Sequence, residues 1–199
     1  KTISSEVPGE YVDACFSFDS KLFAVLGSNY SSISIWDSET FSLKYRVNPT
    51  GVNLQKIQFS PNGQDILAIS KAKTSKVRFY SLSGYEATQS RELSDLHASD
   101  ILSFGISPNS KYLVTGGVDR ILKVWDYSST QKRGQAFIGH SGEVCITAFS
   151  SKGEYLISCG DALDGIFVWQ FNGDKTPLEP VQKTQSEKVK IIEEESINE

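Results

Sequence analysis

Ile121-Leu122-Lys123-Val124-Trp125-Asp126 is the clearest copy of a phrase that recurs along this chain of 199 residues. The phrase returns every 44 or 45 residues, with Trp36, Tyr80, Trp125 and Trp169 at the same position. A second phrase keeps this spacing upstream, as Phe16-Ser17-Phe18-Asp19, Phe59-Ser60-Pro61-Asn62, Ile106-Ser107-Pro108-Asn109 and Phe149-Ser150-Ser151-Lys152. Such a period indicates an array of similar units, none of which buries its apolar face alone.

Within one period, short runs of alternating apolar and polar residues are separated by turn residues, which is the pattern of strands. In the third period these runs are Ile101–Ile106, Tyr112–Thr115, Ile121–Trp125 and a weaker run at Ala136–Ile138. The first turn contains Pro108, which fixes φ, and Asn109, which tolerates a left-handed backbone. Four strands without helical spacing predict an antiparallel meander and therefore an all-β chain.

The chain resembles the WD-repeat family, whose units are the four-stranded blades of a β-propeller. The resemblance covers residues 8–172 and includes Leu96-His97 and Gly139-His140, whose histidines lie 28 and 29 residues ahead of Trp125 and Trp169. It implies a partial β-propeller of about four blades, at residues 8–50, 51–93, 94–138 and 139–174. Four blades are few for a closed ring, so we expect the remaining blades to come from sequence outside these residues.

Beyond the last unit, residues 175–199 contain two prolines, no aromatic residue and the run Glu193-Glu194-Glu195. This composition predicts a charged, disordered tail.

Members of the family carry a buried hydrogen-bond chain that joins a His, a Ser or Thr, a turn Asp and the Trp of one blade. Carried over by position, the third unit supplies His97, Thr115, Asp119 and Trp125. The fourth supplies His140, Ser158 and Trp169, with either Asp164 or Asp161 as the acid, because its turn has one extra residue. The second unit keeps only Ser70, and the first keeps only Trp36.

Catalytic residues are not indicated. The two histidines both occupy the repeat's structural position, and the grouping of His97 with Thr115 and Asp119 recurs in the next unit, as a stabilising network would. The three cysteines, Cys15, Cys145 and Cys159, do not have the spacing of metal ligands. The glycine-rich turns are not followed by a helix that could hold a phosphate. We therefore expect no enzyme activity, cofactor or metal.

The net charge of −4 gives no general attraction for nucleic acid, and no apolar run is long enough to cross a membrane. The odd number of cysteines without a signal peptide favours the cytoplasm. A local basic cluster consists of Lys71, Lys73, Lys76 and Arg78, which fall within eight residues. Lys71 and Lys73 lie in the loop between the second and third strands of the second unit, and Arg120 lies in the corresponding turn of the third. Lys71, Lys73 and Arg120 are a candidate site for an acidic protein partner. The alternative is an ordinary solvated loop.

Phe137–Gly142, Ser158–Asp161 and Ile166–Trp169 look most like the C-terminal blades of the large WD-repeat proteins of centriole and cilium walls. This resemblance implies a non-enzymatic scaffold at the cytoskeleton, centriole or cilium, with tubulin, microtubules or centriolar and ciliary proteins as partners. The competing interpretation is the substrate-recognition propeller of a ubiquitin ligase or of another multiprotein complex.

Overall fold

Antiparallel sheets follow one another along the chain in the computed structural model, which describes residues 10–28, 32–71, 76–84, 86–128, 134–161 and 164–173. Sheet 1 contains β1 (Tyr11–Phe16), β2 (Leu22–Gly27), β3 (Ile33–Asp37) and β4 (Leu43–Val47). Sheet 2 contains β5 (Asn53–Phe59), β6 (Asp65–Lys71), β7 (Lys76–Ser81) and β8 (Thr88–Leu93). Sheet 3 contains β9 (Ile101–Ile106), β10 (Tyr112–Gly117), β11 (Ile121–Asp126) and β12 (Gly134–Ile138). Sheet 4 contains β13 (Ile146–Phe149), β14 (Tyr155–Cys159) and β15 (Ile166–Gln170).

The expected all-β architecture is confirmed, and each strand pairs with the next one along the chain. Sheet 4 differs from the expected four-stranded form, because three strands fall within the described residues. The proposed tail at residues 175–199 lies outside them. In the part of the chain that the structure describes, there is no helix with the length and apolar character of a membrane span.

A serine turn joins the first two strands of every sheet. In sheet 3 the backbone N–H of Ser107 donates to the carbonyl of Tyr112, and the N–H of Tyr112 donates to Ser107 Oγ at 2.9 Å. The left-handed residue of this turn is Ser110, with φ of 55°, so the expectation that Asn109 takes this conformation is wrong. Asn109 instead accepts hydrogen bonds from Ser107 Oγ and the N–H of Lys111. The equivalent serines are Ser17, Ser60 and Ser150.

The core consists of apolar clusters between consecutive sheets. Trp125 lies among side chains of sheet 2 such as Phe79, and Trp169 lies among side chains of sheet 3 such as Val124. Thus in sheets 3 and 4 the face that carries the tryptophan packs on the preceding sheet. Because side chains alternate between faces, sheets 2 and 3 are buried on both faces. Within the described residues, no cluster joins sheet 1 to sheet 4.

Polar bonds also link consecutive sheets. Asp13 Oδ2 of sheet 1 accepts a hydrogen bond from the backbone N–H of Ile57 in sheet 2 at 2.8 Å. Tyr127, just beyond β11, donates its hydroxyl to Asp65 Oδ2 of sheet 2 at 2.8 Å. The first strands lie innermost, since a cavity of about 170 Å³ is lined by residues in or next to all of them, including Phe18, Gln58, Gly105 and Ala148.

Candidate functional site

The polar network of sheet 3 joins the loop before β9 to β10, β11 and the turn between them. His97 Nδ1 lies 2.8 Å from Asp119 Oδ1, and His97 Nε2 lies 2.7 Å from Thr115 Oγ1. The indole N–H of Trp125 donates to the same Thr115 oxygen at 2.8 Å. Asp119 Oδ2 also accepts from the backbone N–H of Ala98 at 3.2 Å. The structure thus brings together the four residues that the sequence assigns to this unit.

The proton positions in this network follow from the acceptor character of an ionised carboxylate. The ionised carboxylate of Asp119 carries no proton to donate. The neutral imidazole of His97 therefore donates from Nδ1 to Asp119 and accepts at Nε2. The Thr115 hydroxyl then accepts from Trp125 and donates to His97. Each polar group has a partner, which is the condition under which a buried network stabilises a fold.

Sheet 4 repeats the arrangement with a serine at the threonine position. His140 Nε2 lies 2.6 Å from Ser158 Oγ, and the Trp169 indole donates to that oxygen at 2.7 Å. His140 Nδ1 bonds to Asp164, which also accepts from the backbone N–H of Ser141 at 2.6 Å. Of the two acids left open by the sequence, Asp164 therefore contacts the histidine, while the carbonyl of Asp161 accepts from the N–H of Asp164.

Within the described residues, sheets 1 and 2 show no such network. Ser70 in sheet 2 lies 3.5 Å from the carbonyl of Lys76, and the buried hydroxyl of Tyr80, at the tryptophan position, has no hydrogen-bond partner in the structure. Val52 replaces the histidine. Nearby, the loop between β4 and β5 lines an open cavity of about 760 Å³ that includes Arg46, Asn48 and Pro49.

The burial of the networks bears on what chemistry they can perform. The side chains of His97 and His140 are 0% exposed, and Thr115 and Ser158 are also 0% exposed. A nucleophilic hydroxyl must reach its substrate, and these two hydroxyls are enclosed between sheets. The described residues also contain no group of His, Cys, Asp and Glu side chains placed to hold a metal ion.

The network carboxylates are ionised more readily than ordinary ones. Burial alone would raise the pKa of Asp119, but the hydrogen bonds from His97 and from the N–H of Ala98, together with the charge of Lys123, outweigh it and lower this pKa. The pKa of Asp164 is lowered in the same way: burial opposes the shift, and bonds from Ser141 and His140 outweigh it.

We expect the stability that these carboxylates contribute to be lost in acid. A depressed folded-state pKa gives stabilisation that is complete above the unfolded Asp pKa of about 3.9 and disappears as pH falls through the folded value. The measurement is urea unfolding of the chain and of Asp119→Asn from pH 7 to pH 2. The difference in free energy of unfolding between the two should shrink below about pH 4. A difference in free energy of unfolding that stays constant from pH 7 to pH 2 would contradict a lowered pKa of Asp119 in the folded state.

The predicted basic cluster lies only partly within the described residues, so it stays a prediction. Arg120 is exposed at the turn between β10 and β11, with φ of 66°, while Lys73 and the side chain of Lys71 lie outside the described part of the chain. Lys76 and Arg78 share one carboxylate, since Lys76 Nζ and Arg78 Nε lie 2.6 and 2.8 Å from Glu92. The sequence spacing gave no sign of this pairing across β7 and β8.

The sequence pattern also did not predict a contact between sheets 2 and 3. The Arg91 guanidinium lies 3.9 Å from the centroid of the Phe79 ring and 5.4 Å from that of Tyr127, whose hydroxyl bonds to Asp65. The signal available in the sequence was the position of Tyr127, two residues after the tryptophan. Leu82 and Phe171 occupy that position in other units, and all three are buried.

Residues 90–126 and 131–169 match the model of the WD domain, G-beta repeat. Together with the four consecutive antiparallel sheets and the paired His-Asp networks, this match defines the class. Residues 90–126 and 131–169 are therefore WD repeats, which occur in proteins that generally act as protein-interaction scaffolds, and the described sheets have the architecture of β-propeller blades.

Among curated proteins, the chain is similar to WD repeat-containing protein 90 of Xenopus tropicalis, with 30% identity over 78% of this chain and 8% of that protein. The human protein of the same name is 26% identical over 92% of this chain and 10% of its own length. Cilia- and flagella-associated protein 52 of Sus scrofa is 28% identical over 54% of this chain and 17% of that protein. The chain therefore spans a tenth or less of the first two relatives.

Proposed function

We propose that this chain is a non-enzymatic part of a protein-interaction scaffold of the centriole or cilium, with microtubules or microtubule-associated proteins as partners. The proposal that the chain is not an enzyme is supported by the hydrogen bonds within the two networks, which occupy the polar side chains. Both ring nitrogens of His97 and the hydroxyl of Thr115 are bonded within the network, and these side chains are buried between sheets. The turns and loops at the sheet edges include exposed residues such as Arg120 that are available to partners.

Two observations support the cellular setting. The residues Phe137–Gly142 and Ile166–Trp169 resemble the large WD-repeat proteins of centriole and cilium walls. A relative that covers half of the chain is named as a cilia- and flagella-associated protein. A location at the cytoskeleton follows as part of the same proposal.

The proposed contact is the edge that carries Lys71, Lys73 and Arg120. Lysine and arginine at the rim of an interface act mainly on association rate and salt dependence, because solvent screens them. Acidic tubulin surfaces are the complementary partner. The net charge of −4 opposes a general attraction between the chain and an acidic surface, so the contact would have to be confined to the basic residues.

We expect the chain to co-sediment with microtubules at low salt and to be released as salt rises. The variant Lys71→Glu/Arg120→Glu should bind about threefold to tenfold more weakly, as expected for reversal of two solvent-exposed charges. The measurement is a co-sedimentation series over ionic strength.

The matched control is Lys152→Glu, which reverses an exposed charge in the turn between β13 and β14 on the opposite edge of the sheets. This variant should bind like the unaltered chain. Absence of binding by the unaltered chain at low salt would reject the microtubule contact. Equal loss in both variants would show a non-specific charge effect.

A further inference from the structure

Two buried polar atoms of β7 have no hydrogen-bond partner among the described residues: the hydroxyl of Tyr80 and Nη1 of Arg78. Tyr80 is 2% exposed, and the side chain of Arg78 is 12% exposed. The two residues are two positions apart on one strand, so their side chains lie on the same face of sheet 2. Tyr80 belongs to the apolar cluster that joins sheet 2 to sheet 1, so this face is enclosed between two described sheets.

The strand register shows which residue of sheet 2 takes the place of Thr115. In sheet 3, Thr115 pairs with the residue two positions before the tryptophan. In sheet 2, the residue two positions before Tyr80 is Arg78, and its partner on β6 is Ala68. Ala68 therefore takes the place of Thr115, and not Ser70 as the spacing predicted.

This replacement explains why the Tyr80 hydroxyl has no partner. In sheet 3 the indole N–H of Trp125 donates to the Thr115 hydroxyl. Ala68 has no hydroxyl to offer to the ring at the tryptophan position. It also lacks the methyl group of a threonine, which leaves room beside Tyr80 for a very small molecule.

Arg78 bonds to a carboxylate of its own sheet. Its Nε lies 2.8 Å from Glu92, which also contacts Lys76 Nζ at 2.6 Å. The counterpart in sheet 3, Lys123, instead donates to the carbonyl of Leu96 at 2.8 Å. One edge of the Arg78 guanidinium is thus satisfied within sheet 2, while Nη1 remains buried without an acceptor.

Both unpaired atoms are hydrogen-bond donors. Nη1 of an arginine carries N–H groups and no acceptor lone pair. Burial raises the pKa of Tyr80 to about 12, so its hydroxyl keeps its proton at neutral pH. A buried donor without an acceptor costs stability, and such groups normally bind ordered water where the protein supplies no partner.

We propose that a buried water molecule binds between sheets 1 and 2 and accepts hydrogen bonds from the Tyr80 hydroxyl and from Arg78 Nη1. The two lone pairs of a water oxygen match the two donors, and a buried water needs at least two polar partners. The occupant is water because the site is enclosed, and because alanine in place of threonine frees only the space of a hydroxyl and a methyl group. Together with Glu92 and Lys76, this water forms a polar network in sheet 2 that differs from the histidine networks of sheets 3 and 4.

The first test counts long-lived internal waters by magnetic relaxation dispersion of the water signal. The double variant Tyr80→Phe/Arg78→Met removes both donors and should reduce the count by one water. The matched control is Tyr127→Phe/Arg91→Met, which alters a tyrosine and an arginine between sheets 2 and 3. There the hydroxyl already donates to Asp65 and the guanidinium stacks on aromatic rings, so the count should stay unchanged.

The second test uses the sign of a change in stability. Tyr80→Phe is a conservative substitution, and it should lower the urea midpoint because it removes a hydrogen bond to the bound water. If the hydroxyl has no partner, phenylalanine should instead raise the midpoint, because an unsatisfied buried group is removed. A raised midpoint, or an unchanged water count in the double variant, would overturn the proposal.

Discussion

Replacing Trp125 by alanine should lower the free energy of unfolding by about 3–5 kcal/mol, the range for truncating a large aromatic residue in a packed core. Trp125 is 4% exposed and packs between sheets 2 and 3. Its indole N–H also donates a hydrogen bond to the Thr115 hydroxyl, which in turn contacts His97. The substitution therefore opens a cavity and leaves a buried hydroxyl with one partner fewer.

The repeat provides a matched control at Trp36, which occupies the same position in sheet 1. Among the described residues of sheet 1 no equivalent network is formed, and the Trp36 ring is partly exposed. At low protein concentration, Trp36→Ala should therefore lower the free energy of unfolding clearly less than Trp125→Ala does. Urea unfolding with comparison of midpoints and slopes measures both effects. Equal losses at the two positions would contradict a special contribution from the interior site.

The second large effect is expected for Asp119→Ala, which should destabilise the chain by about 1–3 kcal/mol. Truncation removes the acceptor for His97 Nδ1, which is enclosed, and for the backbone N–H of Ala98. A buried donor that loses its acceptor retains the full cost of leaving water.

Asp119→Asn is the control for this substitution, because the amide oxygen can still accept one of the two hydrogen bonds. It should lose less stability than the alanine variant at pH 7. An unchanged midpoint and slope for Asp119→Ala would show that the network contributes nothing to stability. All variants are compared at one concentration, since association raises apparent stability.

The repeat spacing was sufficient to predict the strands and to select His97, Thr115, Asp119 and Trp125 as one group, because equal spacing puts equivalent residues at equivalent points of a sheet. It was insufficient where a turn changes length. The extra residue before Asp164 leaves the choice of acid to backbone geometry that spacing does not contain.

Pairing between side chains on different strands was also beyond the sequence. The contact of Arg78 and Lys76 with Glu92 depends on the register of β7 against β8, which shifts between Phe79 and Tyr80. A one-residue shift changes which side chains meet. The sequence therefore gives no sign that Lys76 and Arg78 are paired with a carboxylate in the fold.

The pairing of every strand with its sequence neighbour has a consequence for how the chain folds. Each sheet can form from a continuous segment, so its hydrogen bonds require only short loop closures, and contact order within a sheet is low. Among the described residues, the apolar clusters join adjacent sheets, so we expect cooperativity to pass from neighbour to neighbour as in a linear array. Sheets 2 and 3 are covered on both faces and should therefore be the last of the described sheets to open.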